Sequence, residues 1–144
     1  MRSLLDANVL IAYFDQDHAF HERAYGWFVA NRENGWASSP LTENAVIRIL
    51  TNPNYSIGRT FPLSQLIAKF NETIELTDHE FWPDDISLFD RSVFDSERIL
   101  GPRQLTDIYL LAVAVQHQGR LVTFDAHIAI NSVNGATEDN LYVL

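Results

Sequence analysis

The sequence predicts an α/β fold, a three-layer α/β/α sandwich around a central parallel sheet. Short apolar runs alternate with helical segments along the chain. Strands separated by helices pair in parallel, with helices covering both faces. Two of those runs, Arg2 to Leu5 and Arg120 to Phe124, lead straight into an aspartate, Asp6 and Asp125. That placement is the carboxyl edge of such a sheet, where ligands bind in open α/β folds. Turn residues fall between the runs, as at Thr51-Asn52-Pro53-Asn54-Tyr55 and Gly101-Pro102.

Taken in order, Arg2 to Leu5 reads as a short buried strand, and Asn8 to Phe14 as a helix. Asp15-Gln16-Asp17 breaks the chain before a second helix, His18 to Asn31, whose Phe20, Ala24, Trp27 and Phe28 recur at helical spacing. Gly35 to Ser38 predicts the second strand. Pro40 suits the first turn of a helix that carries Glu43 near its start. Leu63 to Asn71 is expected to be helical and Thr73 to Leu76 to form the third strand. Pro83 then opens a helix over Asp84 to Glu97, with Asp84 and Asp85 facing its dipole. The strongest helix is Asp107 to Gln118, with Thr106 placed to cap it and Gly119 to end it. Arg120 to Phe124 is the next buried strand, and Asn140 to Leu144 a final edge strand.

A chain of 144 residues suits one domain, residues 1–144, with a proper core. Cysteine is absent, so any metal would be held by oxygen or imidazole, and a reducing, cytoplasmic location is expected. Asp6 interrupts the start before the apolar stretch of a signal peptide can form. The longest apolar run, Ile108 to Val115, is far too short to span a membrane. The net charge of −9 argues against binding nucleic acid through the whole surface. With nine arginines and the single Lys69, any phosphate contact must be local.

Four acids, Asp6, Glu43, Asp107 and Asp125, sit in apolar contexts where a predicted strand ends or a helix begins. Each has a structural alternative. Asp107 can cap its helix, Glu43 can face a helix dipole, and Asp125 can form a turn. Asp6 is harder to place that way, because a strand end inside an apolar segment offers little solvation. If the fold gathers them, their repulsion calls for a cation, and hard oxygen ligands suit Mg²⁺ or Mn²⁺. The matching chemistry is metal-assisted cleavage of a phosphodiester. Asp6 and Asp107 are the first choices as metal ligands; Glu43 and Asp125 complete the site as ligands or by holding and deprotonating water. Asn8, Thr106 and Thr123 are candidate supporting residues, Asn8 as a hydrogen-bond partner two residues beyond Asp6. His18 and His21 share a helix face but read as packing or capping residues, and Trp27, Trp36 and Trp82 as core or interface anchors. The chain has no Gly-rich phosphate loop, nucleophile elbow or Cys/His triad.

The chain resembles the PIN-domain ribonucleases, and within them the VapC-type toxins of bacterial toxin–antitoxin pairs. The resemblance rests on LLDANVLIAYF at 4–14, the following segment from His18 to Phe28, LTENAVIRILTNP at 41–53, FWPDD at 81–85, TDIYLLAVA at 106–114 and LVTFD at 121–125. It covers nearly the whole chain, in the family's order. It implies the PIN fold, with Asp6, Glu43, Asp107 and Asp125 as the acidic quartet. It also implies a Mg²⁺- or Mn²⁺-dependent endoribonuclease that inhibits translation, a cognate antitoxin protein that blocks the cleft, an RNA substrate and a homodimer. One departure follows Asp125, where Ala126-His127-Ile128 replaces the basic and aromatic pair common in the family. A PIN-like module that binds without cutting, and a DNA-directed nuclease, are the alternatives. A phospho-accepting receiver domain fails because it needs an acid pair after its first strand and a late lysine, and Lys69 lies mid-chain.

Overall fold

The computed structural model describes all 144 residues. Its strands are β1 (Ser3–Leu5), β2 (Trp36–Ser38), β3 (His79–Phe81), β4 (Arg120–Thr123) and β5 (Leu141–Val143). They form one wholly parallel sheet in the order β3-β2-β1-β4-β5. The helices are α1 (Ala7–Phe14), α2 (His21–Asn31), α3 (Pro40–Leu50), α4 (Leu63–Leu76) and α5 (Leu105–Gln116). This is the α/β/α sandwich that the alternation of elements predicts.

Successive strand residues point to opposite faces, so each strand feeds two cores. Leu5, Trp36 and Val122 pack on one side with α1 to α4, through side chains such as Leu10, Phe14, Val46, Leu50 and Phe70. Leu4, Ala37 and Leu121 pack on the other side with α5, Trp82 and Phe94. Helix α5 is buried all round from Ile108 to Ala114, which is why its apolar run is unbroken. Its outer side is covered by the 83–100 segment, pinned where Phe94 bridges Val133 and where Ile86 N–H donates to the Tyr109 hydroxyl at 3.2 Å.

From β1 the chain steps outward to β2 and β3, then returns to place β4 and β5 on the other side of β1. The crevice at this reversal, outside the carboxyl ends of β1 and β4, is the ligand position of the architecture. Asp6 and Asp125 follow those two strands.

The expected elements need several corrections. Thr73 to Leu76 is the last turn of α4, and the third strand lies at His79–Phe81. Thr73 and Thr77 each donate their hydroxyl to the carbonyl four residues back, at 3.0 and 2.5 Å, so these residues belong to a helical end. Strand β3 is a partly exposed edge without an apolar run to announce it. Asp84 to Glu97 forms turns and a 3₁₀ turn at Ser96–Arg98 rather than an α-helix. There Ser87, Asp90 and Asp95 side chains capture the N–H groups of Phe89, Ser92 and Glu97, which a helix would have used. Asp84 instead accepts from Leu41 N–H at 3.0 Å, at the start of α3.

Helix α5 begins at Leu105 after a 3₁₀ turn at Pro102–Gln104, so Thr106 lies inside its first turn, exposed and not capping it. At its far end the left-handed residue is Gln118, with φ 54°. Gly119 is required for space instead. A Cβ there would lie 2.5 Å from Trp82 Cη2 and 2.7 Å from the Arg2 carbonyl oxygen. Helix α2 starts at His21, whose Nδ1 lies 2.8 Å from the Ala12 carbonyl, tying α2 to α1. His18 accepts from Phe20 N–H at 3.0 Å. His18 therefore lies before the helix rather than on a shared face with His21, and neither side chain caps it.

A second buried acid, Asp15, closes α1 and fixes the 51–62 connection between α3 and α4. Arg59 donates to it at 2.8 and 2.9 Å, the Tyr55 hydroxyl at 2.7 Å and Asp17 N–H at 3.1 Å. Arg59 also pairs with Asp17.

Candidate active site

Asp6 extends the sheet by one hydrogen bond, its N–H donating to the Val122 carbonyl at 3.0 Å, and its own carbonyl starts α1. Its side chain does not cap that helix. It points into the crevice beside β4, only 6% exposed, and accepts from the Thr123 hydroxyl at 3.0 Å. That hydroxyl in turn accepts from Asp125 N–H at 3.1 Å. Thr123 is the last residue of β4, so one buried hydroxyl joins the first and last acids across the switch point.

Asp125 follows in a turn of its own. Its Oδ1 accepts from His127 N–H at 2.8 Å, and the His127 ring lies 3.4 Å away. The turn-forming role weighed for Asp125 is therefore real, and it leaves the second oxygen, Oδ2, without a partner. Asp107 enters from the first turn of α5. Gln104, just before that helix, donates its Nε2 to the His127 carbonyl at 2.9 Å and fastens the helix start to the loop after Asp125.

Electrostatic coupling relates these three acids. Burial, and then the charges of Asp6 and Asp125, push the Asp107 carboxyl up to about 6. Burial is also the main cause that raises Asp6, with the Asp125 charge adding to it and the Thr123 and Ala7 hydrogen bonds opposing it. No arginine, lysine or histidine contributes to either shift. Uncompensated, partly buried negative charge built from oxygen donors is the donor chemistry that a hard divalent cation fits. No three His, Cys, Asp or Glu side chains stand close enough to form a ready-made ion cage. A loose set still suits Mg²⁺, which keeps several waters and takes only one or two carboxylates directly.

Glu43 does not join this trio. It sits in the first turn of α3, its charge perturbs neither Asp6 nor Asp107, and its Oε1 accepts from the Ser38 hydroxyl at 2.6 Å. Ser38 ends β2, so Glu43 occupies the neighbouring strand's carboxyl end. The Ser38 oxygen also lies 2.7 Å from His79 Nε2. Among the supporting residues, Thr123 sits at the centre of the site, whereas Asn8 and Thr106 are exposed and bond to none of the acids. Ser38, His79 and Gln104 are polar residues of the site region that sequence reasoning passed over. Nothing in the local pattern marks them, because their partners lie five to 41 residues away.

Residues 3–133 match the family described as the PIN domain. Over its full length the chain is 44% identical to Ribonuclease VapC44 of Mycobacterium tuberculosis, with all of both chains covered. It is 40% identical to Ribonuclease VapC39 of the same organism, over 96% of this chain and 99% of that protein. Among solved structures, a chain from the crystal structure of VapBC2 from Rickettsia felis bound to a DNA fragment from their promoter superposes with a TM-score of 0.63. That match covers 100% of this chain and 99% of the other at 13% identity, and it concerns the fold.

Proposed function

The chain belongs to the PIN-domain family, and on that premise we propose that it is a VapC-type ribonuclease, the toxin of a toxin–antitoxin pair. It acts as an endoribonuclease, with RNA as substrate and Mg²⁺ or Mn²⁺ as cofactor. A cognate antitoxin protein is its regulating partner, and it works as a homodimer in the cytoplasm, residues 1–144 forming one nuclease domain. No helix is long and apolar enough to cross a membrane. The observation that carries the reading is the trio Asp6, Asp107 and Asp125 at the switch point, repelling one another with no cationic side chain among them.

Asp6, Asp107 and Asp125 would hold the cation, with Glu43 completing the set from the adjacent strand. Such an ion, when bound, neutralises phosphate charge, lowers the pKa of water and stabilises a leaving oxygen. The chain's own residues prepare that site. Thr123 fixes the Asp6 carboxylate by a hydrogen bond and holds the Asp125 backbone with the same oxygen. Gln104 keeps the start of α5, which carries Asp107, against the loop that follows Asp125. Asp107, pushed up to about 6 by burial and by the Asp6 and Asp125 charges, would gain its missing counter-charge from a bound cation. The net charge of −9 would repel RNA at long range, so cleavage should depend on the cation for substrate approach as well.

The purified chain, given a mixed-sequence RNA, should cut it internally with Mg²⁺ or Mn²⁺ and not in chelator. An Asp6→Asn variant with native circular dichroism should not cut it. Metal-independent cleavage, or cleavage undiminished in that variant, would exclude this assignment.

A further inference from the structure

Glu43 is held differently from the other acids, through two polar side chains on the strands beneath it. Ser38 lies on the same face of β2 as Trp36, two residues before it. His79 pairs in register with Trp36 on the next strand, its ring centroid 4.4 Å from the indole, which brings its Nε2 to Ser38. The Ser38 hydroxyl has one proton and two neighbours, Glu43 Oε1 at 2.6 Å and His79 Nε2 at 2.7 Å. An ionised carboxylate can only accept, so the proton goes to Glu43 and Ser38 must receive its second bond from His79. That fixes the imidazole tautomer with its hydrogen on Nε2. Burial, and then the Arg2 charge, lower the His79 pKa, which suits a neutral ring. The 2.6 Å length is that of a charge-assisted O–H···O⁻ bond. Oε1 is thereby occupied, and Oε2 has no partner.

We propose that Ser38 and His79 are positioning residues, a relay running from His79 Nε2–H to Ser38 O–H to Glu43 Oε1. The relay holds the Glu43 carboxylate in one orientation and leaves Oε2 as the oxygen that would meet a bound cation or its water. The inference rests on the ribonuclease reading above and assigns roles to two residues that no acidic-quartet pattern includes. Outer partners that orient a metal-site carboxylate are commonly worth 10- to 100-fold in metal affinity or activity.

The test compares Ser38→Ala, His79→Phe and His79→Gln in the full chain. Phenylalanine keeps a ring against Trp36 and removes the donor. Glutamine loses the ring but keeps an amide N–H. Cleavage of a defined RNA and the Mg²⁺ dependence of Tm are both measured. The relay predicts that Ser38→Ala and His79→Phe lower kcat about tenfold or more at similar KM, and weaken the Mg²⁺ midpoint by a like factor. It also predicts that His79→Gln recovers most of both losses, and that neither loss adds to Glu43→Gln. The inference is overturned if His79→Phe matches wild type while His79→Gln is impaired, because His79 then serves only to pack. It is equally overturned if Ser38→Ala and Glu43→Gln are additive. Should wild type cut no RNA, the ribonuclease reading fails by itself, and the Mg²⁺ midpoints still decide whether the relay orients Glu43.

Discussion

Helix α1 lies between two buried aspartates in opposite circumstances. Asp6 precedes it at 6% exposure and Asp15 follows it at 2%. Asp15 is surrounded by donors, with Arg59 bidentate, Tyr55 and a backbone N–H, and these hold its carboxyl below the usual range although burial pushes the other way. Asp6 has the Thr123 hydroxyl and one backbone N–H, faces Asp107 and Asp125 instead of an arginine, and is raised. A buried charge with its own counter-charge is a fastening, because folding has already supplied what it needs. One left without a counter-charge destabilises the fold and is retained for something that the chain alone does not contain.

The largest expected effect follows directly. Asp6→Asn should reduce RNA cleavage by at least about a thousandfold, since an amide loses the charge on which a carboxylate metal ligand depends. The same variant should keep or raise Tm, because it removes an uncompensated buried charge. Asp15→Asn should do the reverse. Activity per folded molecule stays near wild type, while unfolding free energy falls as Arg59 loses its charged partner. Thermal melts and single-turnover cleavage of both variants would check this. A stable Asp15→Asn, or an Asp6→Asn that unfolds, would break the contrast.

The sequence shows one half of this contrast and hides the other. Asp6 is legible because it follows a strand in an apolar stretch, a position read from local pattern alone. Asp15 reads as a break between helices, because its partners Tyr55 and Arg59 arrive from 40 and 44 residues away. The same rule covers the rest of the fold. Helix α5, with its unbroken apolar run, and β1 and β4, with buried cores, are announced by composition. The partly exposed edge strand β3, and the 83–100 segment whose side chains hold its turns, are not. At the candidate site, position at strand ends and helix starts singled out four acids. How they lie relative to one another depends on register, which couples the charges of Asp6, Asp107 and Asp125 and leaves Glu43 bonded to Ser38.

Cutting Asp15 loose from Arg59 sharpens the comparison next. In Arg59→Met, Asp15 keeps its burial and Tyr55 but loses its cation, so its pKa should move from below to above the ordinary carboxylate value, as at Asp6. Stability should fall, and amide exchange should quicken around Tyr55 to Phe61, the connection that Arg59 fastens. Carboxyl-detected NMR titration reads the first effect, and hydrogen exchange the second. An Asp15 that still titrates low would mean that Tyr55 and the backbone hold it.

The two acids also pull stability in opposite directions with pH. Asp107 and Asp6 are raised in the folded state, so between about pH 4, the unfolded value, and their folded values the native chain binds the extra proton and stability falls as pH rises. Converting the Asp107 shift directly gives nearly 3 kcal/mol, and screening at a half-exposed carboxyl reduces this to about 1 kcal/mol. Asp15 is lowered, so its contribution is complete above about pH 4 and is lost as pH falls through its folded value. Urea midpoints across pH 3 to 8 should therefore decline on both sides of an optimum. Asp107→Asn should flatten the neutral limb, and Asp15→Asn the acid limb. Saturating Mg²⁺ should also flatten the neutral limb, by supplying the missing counter-charge.

The smallest effects come from the hydroxyls that each aspartate accepts from, and they test whether support differs in kind or only in number. Tyr55→Phe removes one of several donors to Asp15, and Arg59 remains, so a loss of about 1 kcal/mol or less is expected, with activity unchanged. Thr123→Val removes the only side-chain donor to Asp6 and also the acceptor for Asp125 N–H. Its stability loss should be of the same order, about 1–2 kcal/mol, because Asp6 can relax by holding its proton to higher pH. Cleavage should nonetheless fall at neutral pH and recover as pH is raised, since a proton on Asp6 competes with any cation. A pH–rate profile separates the two outcomes. If Thr123→Val shows no shift of its acid limb toward higher pH, the hydroxyl fastens β4 to β1 without tuning the acid. Asp6 would then owe its ionisation to the cation alone.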